Sequence, residues 1–275
     1  MARPEASSWY EEVLSFVCDD DRLLGILTRP RGESHLGLVI LPGGFQCRVG
    51  AHRQNVLLAR ELADQHVATL RFEGRGMGDS EGSHPGFLAL GPDIAAAVSA
   101  LRRAVPGLEQ IVLYGLCDAA TAIALALPSG VADGAILLNP WVRSDKTLAA
   151  ARIRTHYPRQ VLSGTFWGKL LTGGINPWTK LRELLSTVAA SRQATCGDSL
   201  ADRLHTTLST AGRPVLLLLS GRDITAAEFE GEVLPRLQDA PHLTVARIGG
   251  ADHTFSQAVW WQSALDHLRQ WLAQG

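Results

Sequence analysis

The chain lacks most of the features that mark a specialised class of protein. Its net charge is −1 over 275 residues, so no basic footprint points to nucleic acid or an anionic membrane as a partner. No apolar run approaches the ~20 residues of a membrane-spanning helix. Met1 to Ser8 carries no apolar signal core, and a cytoplasmic location is expected. Cysteine is sparse. Cys18, Cys47, Cys117 and Cys196 are scattered with no C-x-x-C pair, which argues against zinc or a disulfide framework. No metal and no cofactor are expected. Internal repeats and low-complexity tracts are absent. Asp19-Asp20-Asp21 is followed by no calcium-ligand spacing and reads as a solvated hairpin turn. Gly74, Gly76 and Gly78 follow a strand but match neither G-x-x-x-x-G-K-[S/T] nor G-x-G-x-x-G, so they read as a structural turn.

What is present is a parallel-sheet composition: 46% hydrophobic residues and 27 glycines suit buried strands joined by tight turns. Strands are expected at Glu11 to Cys18, Arg22 to Thr28, Leu36 to Leu41, Val67 to Phe72, Ile111 to Tyr114, Ala135 to Leu138, Val215 to Leu219 and Leu243 to Ile248. Helical periodicity falls at His52 to His66, Ile94 to Val105, the Ala-rich run ending at Leu127, Ala226 to Leu237 and Ser256 to Ala273. This alternation implies an α/β fold with a mostly parallel central sheet, flanking helices and right-handed crossovers. It breaks over Arg143 to Leu208, which shows helical patches and no clear strand. That segment reads as a helical cap inserted into a core made of residues 1–142 and 209–275.

The chain is organised around Gln110 to Leu127, a short β-branched run, then Gly115-Leu116-Cys117-Asp118-Ala119, then an Ala/Leu-rich helix. Small residues two before and two after the cysteine give the G-x-S-x-G nucleophile elbow with Cys for Ser and Ala for the second Gly. A tight turn there exposes one side chain above the sheet, and the helix that follows aims free N–H groups and its positive dipole end at the same point. A thiol so placed is pushed toward thiolate, the reactive form. A buried structural cysteine that happens to begin a helix is the plainer alternative.

Other candidate groups fall at the carboxyl ends of strands, where active groups in such sheets gather. His253, in a glycine-rich turn after the last strand, reads as the base that takes the proton of a nucleophile or pairs with Cys117 as imidazolium. Asp223 closes the preceding strand; it can fix the imidazole's tautomer, cap the next helix, or do both. Asp252 is the weaker rival, since adjacent side chains seldom face each other. The order nucleophile, acid, base is that of the α/β-hydrolases. An oxyanion would need two backbone N–H groups, one from Asp118 and one from Phe45 or Gly44 in the Pro42-Gly43-Gly44-Phe45 turn. The Asp118 carboxylate beside that pocket either repels the oxyanion, caps the helix or meets a cationic group. Cys47 is a second thiol near this turn and is expected to pack locally. Trp141 and Trp178, with Phe255, are expected at the substrate pocket, while Trp167 and Trp178 also suit a role gluing cap to core.

Five motifs in order, LPGGF, RFEGRGMGDSEG, YGLCDAA, SGRD and GADHTF, make the chain resemble the α/β-hydrolase superfamily over essentially its whole length. GLCDAA together with HRQ…LARELA…LRFEGRGMGDSEG looks most like the exosortase A system-associated hydrolase 1 group, bacterial proteins encoded near exopolysaccharide and PEP-CTERM sorting genes. The Cys-for-Ser elbow is also similar to dienelactone hydrolase, although the cap departs from that family. The resemblance implies Cys117 as nucleophile, Asp223 as acid and His253 as base. The expected activity is hydrolysis of a small-molecule ester or thioester through an acyl-cysteine intermediate. Acyl transfer to a non-water acceptor and a non-catalytic ligand- or partner-binding module are the alternatives.

Overall fold

The computed structural model describes residues 7–44, 46–142, 199–237 and 240–274. Eight strands form one sheet: β1 (Trp9–Cys18), β2 (Asp21–Pro30), β3 (Leu36–Leu41), β4 (Ala68–Phe72), β5 (Gln110–Leu116), β6 (Gly134–Leu138), β7 (Val215–Ser220) and β8 (Leu243–Ile248). Their spatial order is β1-β2-β4-β3-β5-β6-β7-β8. The β1–β2 hairpin is antiparallel, as is its junction with β4, and every other pairing is parallel.

Six helices among the described residues cover the two faces: α1 (Gln54–Ala63), α2 (Gly91–Ala104), α3 (Asp118–Ala126), α4 (Leu200–Thr210), α5 (Ile224–Glu232) and α6 (Ala258–Leu272). Successive side chains of a strand point to opposite faces, and the core divides accordingly. Leu38, Ile40, Val112, Tyr114, Ile136, Leu216 and Leu218 pack with Leu58 and Leu62 of α1 and with Leu265 and Leu268 of α6. Their neighbours Val39, Leu113, Leu137 and Leu217 pack with α2, α3, α4 and α5 on the other side. Strands buried on both faces explain why these segments read as continuous apolar runs rather than alternating ones.

Differences from the sequence expectation have local causes. The first expected helix starts at Gln54 rather than His52, because His52 and Arg53 take φ of 52° and 61°. The helix expected to reach Leu237 stops at Glu232; Pro235, which lacks an N–H, opens a separate 3₁₀ turn over Leu234–Arg236. Residues 143–198 of the expected cap lie outside the described residues. The end of that segment is core: α4 opens with a capping box between Ser199 and Asp202 and buries Ala201, Leu204 and Leu208 in the same cluster as α3. Ser199 to Leu208, assigned to the cap from the sequence, thus packs with the core.

One topological feature places the site. The chain adds β4 on one side of β3 and then crosses to lay β5 on the other, so the sheet order reverses between β3 and β5. Ligand sites in open α/β sheets form at such a reversal, outside the carboxyl ends of the strands. Leu41 pairs with Gly115, so the turn after β3 and the turn after β5 leave the sheet side by side.

Candidate active site

Cys117 sits between β5 and α3 with φ 63° and ψ −124°, a backbone conformation that non-glycine residues rarely adopt and that costs of order 1–3 kcal/mol. The surroundings enforce it. The Cys117 N–H donates to Leu138 O at 2.9 Å, and its carbonyl accepts from the N–H groups of Thr121 and Trp141, each at 3.2 Å. A Cβ on Gly115 would lie 2.8–2.9 Å from Ile123 Cδ1 and the backbone of Ala119 and Ala120, so only glycine lets α3 pass this close behind the elbow. The cysteine is left partly exposed at the rim of the sheet.

His253 lies in the turn after β8. Its Nδ1 lies 2.9 Å from Asp223 Oδ2, and an ionised carboxylate only accepts, so Nδ1 carries the proton. The same Asp223 oxygen accepts the Ala226 N–H at 3.1 Å. One carboxylate thus orients the imidazole and caps α5, and its side chain is only 8% exposed. The Cys117 side chain is the second group that acts on the charge of His253. Burial of the ring opposes its charge, but hydrogen bonds and electrostatic attraction from Asp223 and Cys117 outweigh this and raise the His253 pKa to about 10. The arrangement favours imidazolium at neutral pH.

Asp252 faces elsewhere. Its carboxylate accepts the N–H groups of Thr254 at 3.2 Å and Ser256 at 2.9 Å, as well as the Ser256 hydroxyl. Burial pushes its pKa up, and these hydrogen bonds together with the nearby His52 hold it below the usual carboxylate value. It shapes the turn that carries His253 and leaves the imidazole to Asp223.

The sequence reading missed a pair beneath this turn. Asn139 is fully buried, with φ 44°. Its Nδ2 donates to Ser220 Oγ at 2.9 Å and to His253 O at 3.0 Å, and its Oδ1 accepts from Ser220 N at 2.8 Å. Ser220 Oγ then donates to Asp252 O at 2.8 Å. Every polar atom of the two side chains is used, so the pair locks the ends of β6 and β7 to the histidine turn. The signal that could have found it is a polar residue at the carboxyl end of each of two adjacent buried strands.

The turn after β3 is equally constrained. A Cβ on Gly43 would lie 2.2 Å from Leu116 O. The Gly44 N–H donates to Asp118 Oδ1 at 2.6 Å, and that oxygen also accepts the Ala119 N–H at 2.9 Å. Phe45 lies outside the described residues. Cys47 is exposed. The glycines after β4 fold around a carboxylate: Glu73 is fully buried and accepts the N–H groups of Arg48 and Asp79 at 3.0 and 3.2 Å, with the Arg48 side chain as its counter-ion. Gly78, at φ 52°, passes against it. A loop wrapped on an anion is no cradle for phosphate.

A groove beside the elbow, on the side of Asp118, is lined by Pro42, Gly44, Met77, Phe87, Leu90 and Asp118 among others. Trp141 and Phe255 do not line it. Trp141 is half-buried and its backbone is tied to the elbow, its carbonyl accepting the Thr121 hydroxyl at 2.7 Å. Phe255 is 2% exposed and packs in the apolar layer with Ala251 and Leu265. Trp167 and Trp178 lie outside the described residues. Among those residues no helix is long and apolar enough to cross a membrane.

No protein-family model matches the chain, and no curated protein sequence does. Solved structures do. An esterase from Pyrococcus furiosus superposes with a TM-score of 0.68 at 16% identity, over 99% of this chain and 94% of that one. Dienelactone hydrolase from Anabaena variabilis gives 0.64 at 14% identity, over 97% of this chain and 98% of the other. Est1E from Butyrivibrio proteoclasticus, solved with ferulic acid bound, gives 0.62 at 16% identity, over 94% and 99%. The chain has the α/β-hydrolase fold. Within that fold, the strand-to-helix turn bearing Cys117, the turn after β7 bearing Asp223 and the turn after β8 bearing His253 all open at one end of the sheet. Such an α/β-hydrolase scaffold supports many chemistries, and the chemistry has to be argued from the site.

Proposed function

We propose that the protein is a hydrolase that cleaves a small-molecule ester or thioester through an acyl-cysteine intermediate, with Cys117 as nucleophile, His253 as acid and base, and Asp223 as the group that orients His253. The observation that carries this reading is the single histidine hydrogen-bonded to a buried carboxylate and electrostatically coupled to a cysteine held in a strained, partly exposed elbow conformation. A structural cysteine has no need of either partner.

In acylation the Cys117 sulfur attacks the substrate carbonyl carbon, an S–C bond forms, and the bond to the leaving oxygen or sulfur breaks as imidazolium supplies its proton. The raised His253 pKa suits that step, because the proton is present at neutral pH. Acylation takes the sulfur out of the pair and with it one of the two influences that raise the His253 pKa. The basicity of His253 falls, and neutral imidazole takes a proton from water as the water oxygen attacks the thioester. Release of the acid returns Cys117 as thiolate beside imidazolium. The negative oxygen formed in both steps is met by backbone N–H groups at the start of α3 and in the turn after β3. The groove lined by Met77, Phe87 and Leu90 reaches Asp118 and Ala119, the residues that follow the nucleophile. The esterase and lactone-hydrolase neighbours add weight at the level of fold.

The test is incubation with p-nitrophenyl acyl esters of increasing chain length, read by release of p-nitrophenol and by intact mass. Turnover with an acyl group trapped on Cys117 supports the reading. No turnover and no adduct at any chain length sinks it in favour of a binding module, and an adduct that discharges only to an added thiol, amine or alcohol identifies an acyltransferase instead.

A further inference from the structure

The sequence offers Gly44 or Phe45 as the second oxyanion donor, with the carboxylate of Asp118 as an awkward neighbour. The geometry gives that carboxylate a task. The Gly44 N–H points at Asp118 Oδ1, 2.6 Å away, the short length of a charge-assisted hydrogen bond. The same oxygen holds the Ala119 N–H at 2.9 Å. One carboxylate oxygen therefore bridges the turn after β3 and the first turn of α3, two segments 74 residues apart. Steric contact reinforces the bridge, since the missing Cβ of Gly43 is what lets this turn lie on the Leu116 carbonyl. Farther along the same loop, Gln46 Oε1 accepts the Ala51 N–H at 3.1 Å and the Arg48 N–H goes to buried Glu73 at 3.0 Å. The loop is thus tied down at Gly44, at Gln46 and at Arg48, and the tie to the nucleophile elbow is Asp118.

We propose that Asp118 is a positioning residue, whose carboxylate anchors Gly44 and so fixes the turn after β3 against the nucleophile elbow in the geometry that receives the oxyanion. The Gly44 N–H is engaged in this anchor and is not itself an oxyanion donor. The backbone N–H of Asp118 remains available to the oxyanion, and no side-chain substitution removes it. The inference rests on the acyl-cysteine reading for its catalytic consequence but not for the anchor itself.

Two measurements on the whole chain separate these. Amide hydrogen exchange at Gly44, followed by ¹H–¹⁵N NMR, reads the anchor without reference to activity. Exchange should be at least tenfold faster in Asp118→Ala than in the wild type and close to wild type in Asp118→Asn, which keeps an acceptor oxygen at the same place. Unchanged exchange in Asp118→Ala overturns the anchor. Steady-state kinetics on a neutral p-nitrophenyl ester reads the consequence. Asp118→Ala should lose tenfold or more in kcat with KM within twofold, and Asp118→Asn should recover most of the loss, as removal of an oxyanion-hole contact lowers kcat by about 10²–10³. A kcat in Asp118→Ala equal to or above the wild type shows that the carboxylate obstructs the pocket and overturns the positioning role. An Asn variant as poor as the Ala variant does so too, because charge and not the acceptor would then be what matters. A wild type that shows slow Gly44 exchange but no turnover on any ester counts against the hydrolase reading and leaves the anchor standing.

Discussion

The side-chain amide of Asn139 donates to the main-chain carbonyl of His253 at 3.0 Å. The contact reaches across 114 residues of sequence and fixes the backbone of the base from beneath, while Asp223 fixes its ring from the side. Asn139→Ala leaves the buried Ser220 N–H without its acceptor, a loss on the order of 1–3 kcal/mol. The melting temperature should fall by several degrees, and kcat should fall by more than the small change in folded fraction explains. A variant with the lower melting temperature but unchanged kcat would confine Asn139 to stability.

The titration of His253 depends on both of its partners. Burial lowers its pKa, and Asp223 and Cys117 together raise it by more. Cys117→Ala should bring the pKa down from about 10, and Asp223→Asn should do likewise, with the imidazole Cε1–H shift in a pH titration as the readout. Because the folded-state value lies above the unfolded 6.5, this charge favours the folded state fully below pH ~6.5, and the contribution disappears as pH rises toward ~10. The difference in melting temperature between wild type and Cys117→Ala should therefore shift in favour of the variant on going from pH 6 to pH 10. A constant difference would remove the coupling.

Cys117→Ala should abolish ester turnover with the fold intact. The Cys117 backbone hydrogen bonds do not involve the side chain, and the φ of 63° is as available to alanine as to cysteine. Cys117→Ser should retain the geometry and lose most of the activity, since His253 must then activate a far less acidic hydroxyl. A serine variant faster than the wild type on ordinary esters would make the cysteine incidental to the mechanism.

Adjacent glycines in the turn after β3 should respond differently. A Cβ at Gly43 meets the Leu116 carbonyl at 2.2 Å, whereas one at Gly44 meets nothing within 4 Å. Gly43→Ala should displace the turn and cut activity by orders of magnitude. Gly44→Ala bears chiefly the cost of a left-handed residue, about 1–2 kcal/mol, with the anchor to Asp118 kept. Comparable melting temperatures and activities for the two variants would contradict the packing of Gly43 on β5.

Trp141 joins the end of β6 to residue 143 and beyond, and its backbone is bound to the elbow. Trp141→Ala preserves those backbone hydrogen bonds while removing the ring. If the ring forms part of the substrate pocket, the preference among acyl chain lengths should shift with a modest loss of stability. An unchanged chain-length profile would assign the ring to packing alone.

The sequence by itself determined the order of strands and helices, the elbow at Cys117 and the residues Asp223 and His253 at the ends of their strands. Each of these is written locally, in an apolar run bounded by small residues or in a turn directly after a strand, so neighbouring side chains suffice to reveal it. The tertiary structure decided what the polar side chains do once there. It sent Asp118 to Gly44 across 74 residues and Asn139 to Ser220 across 81, turned Asp252 into its own loop, drew Phe255 into the core and brought α4 into the layer beside α3. None of these follows from periodicity. A buried polar group is forced to find a partner wherever the folded chain supplies one, and the parallel sheet, through its crossovers, sets side by side the strand ends that the sequence holds far apart.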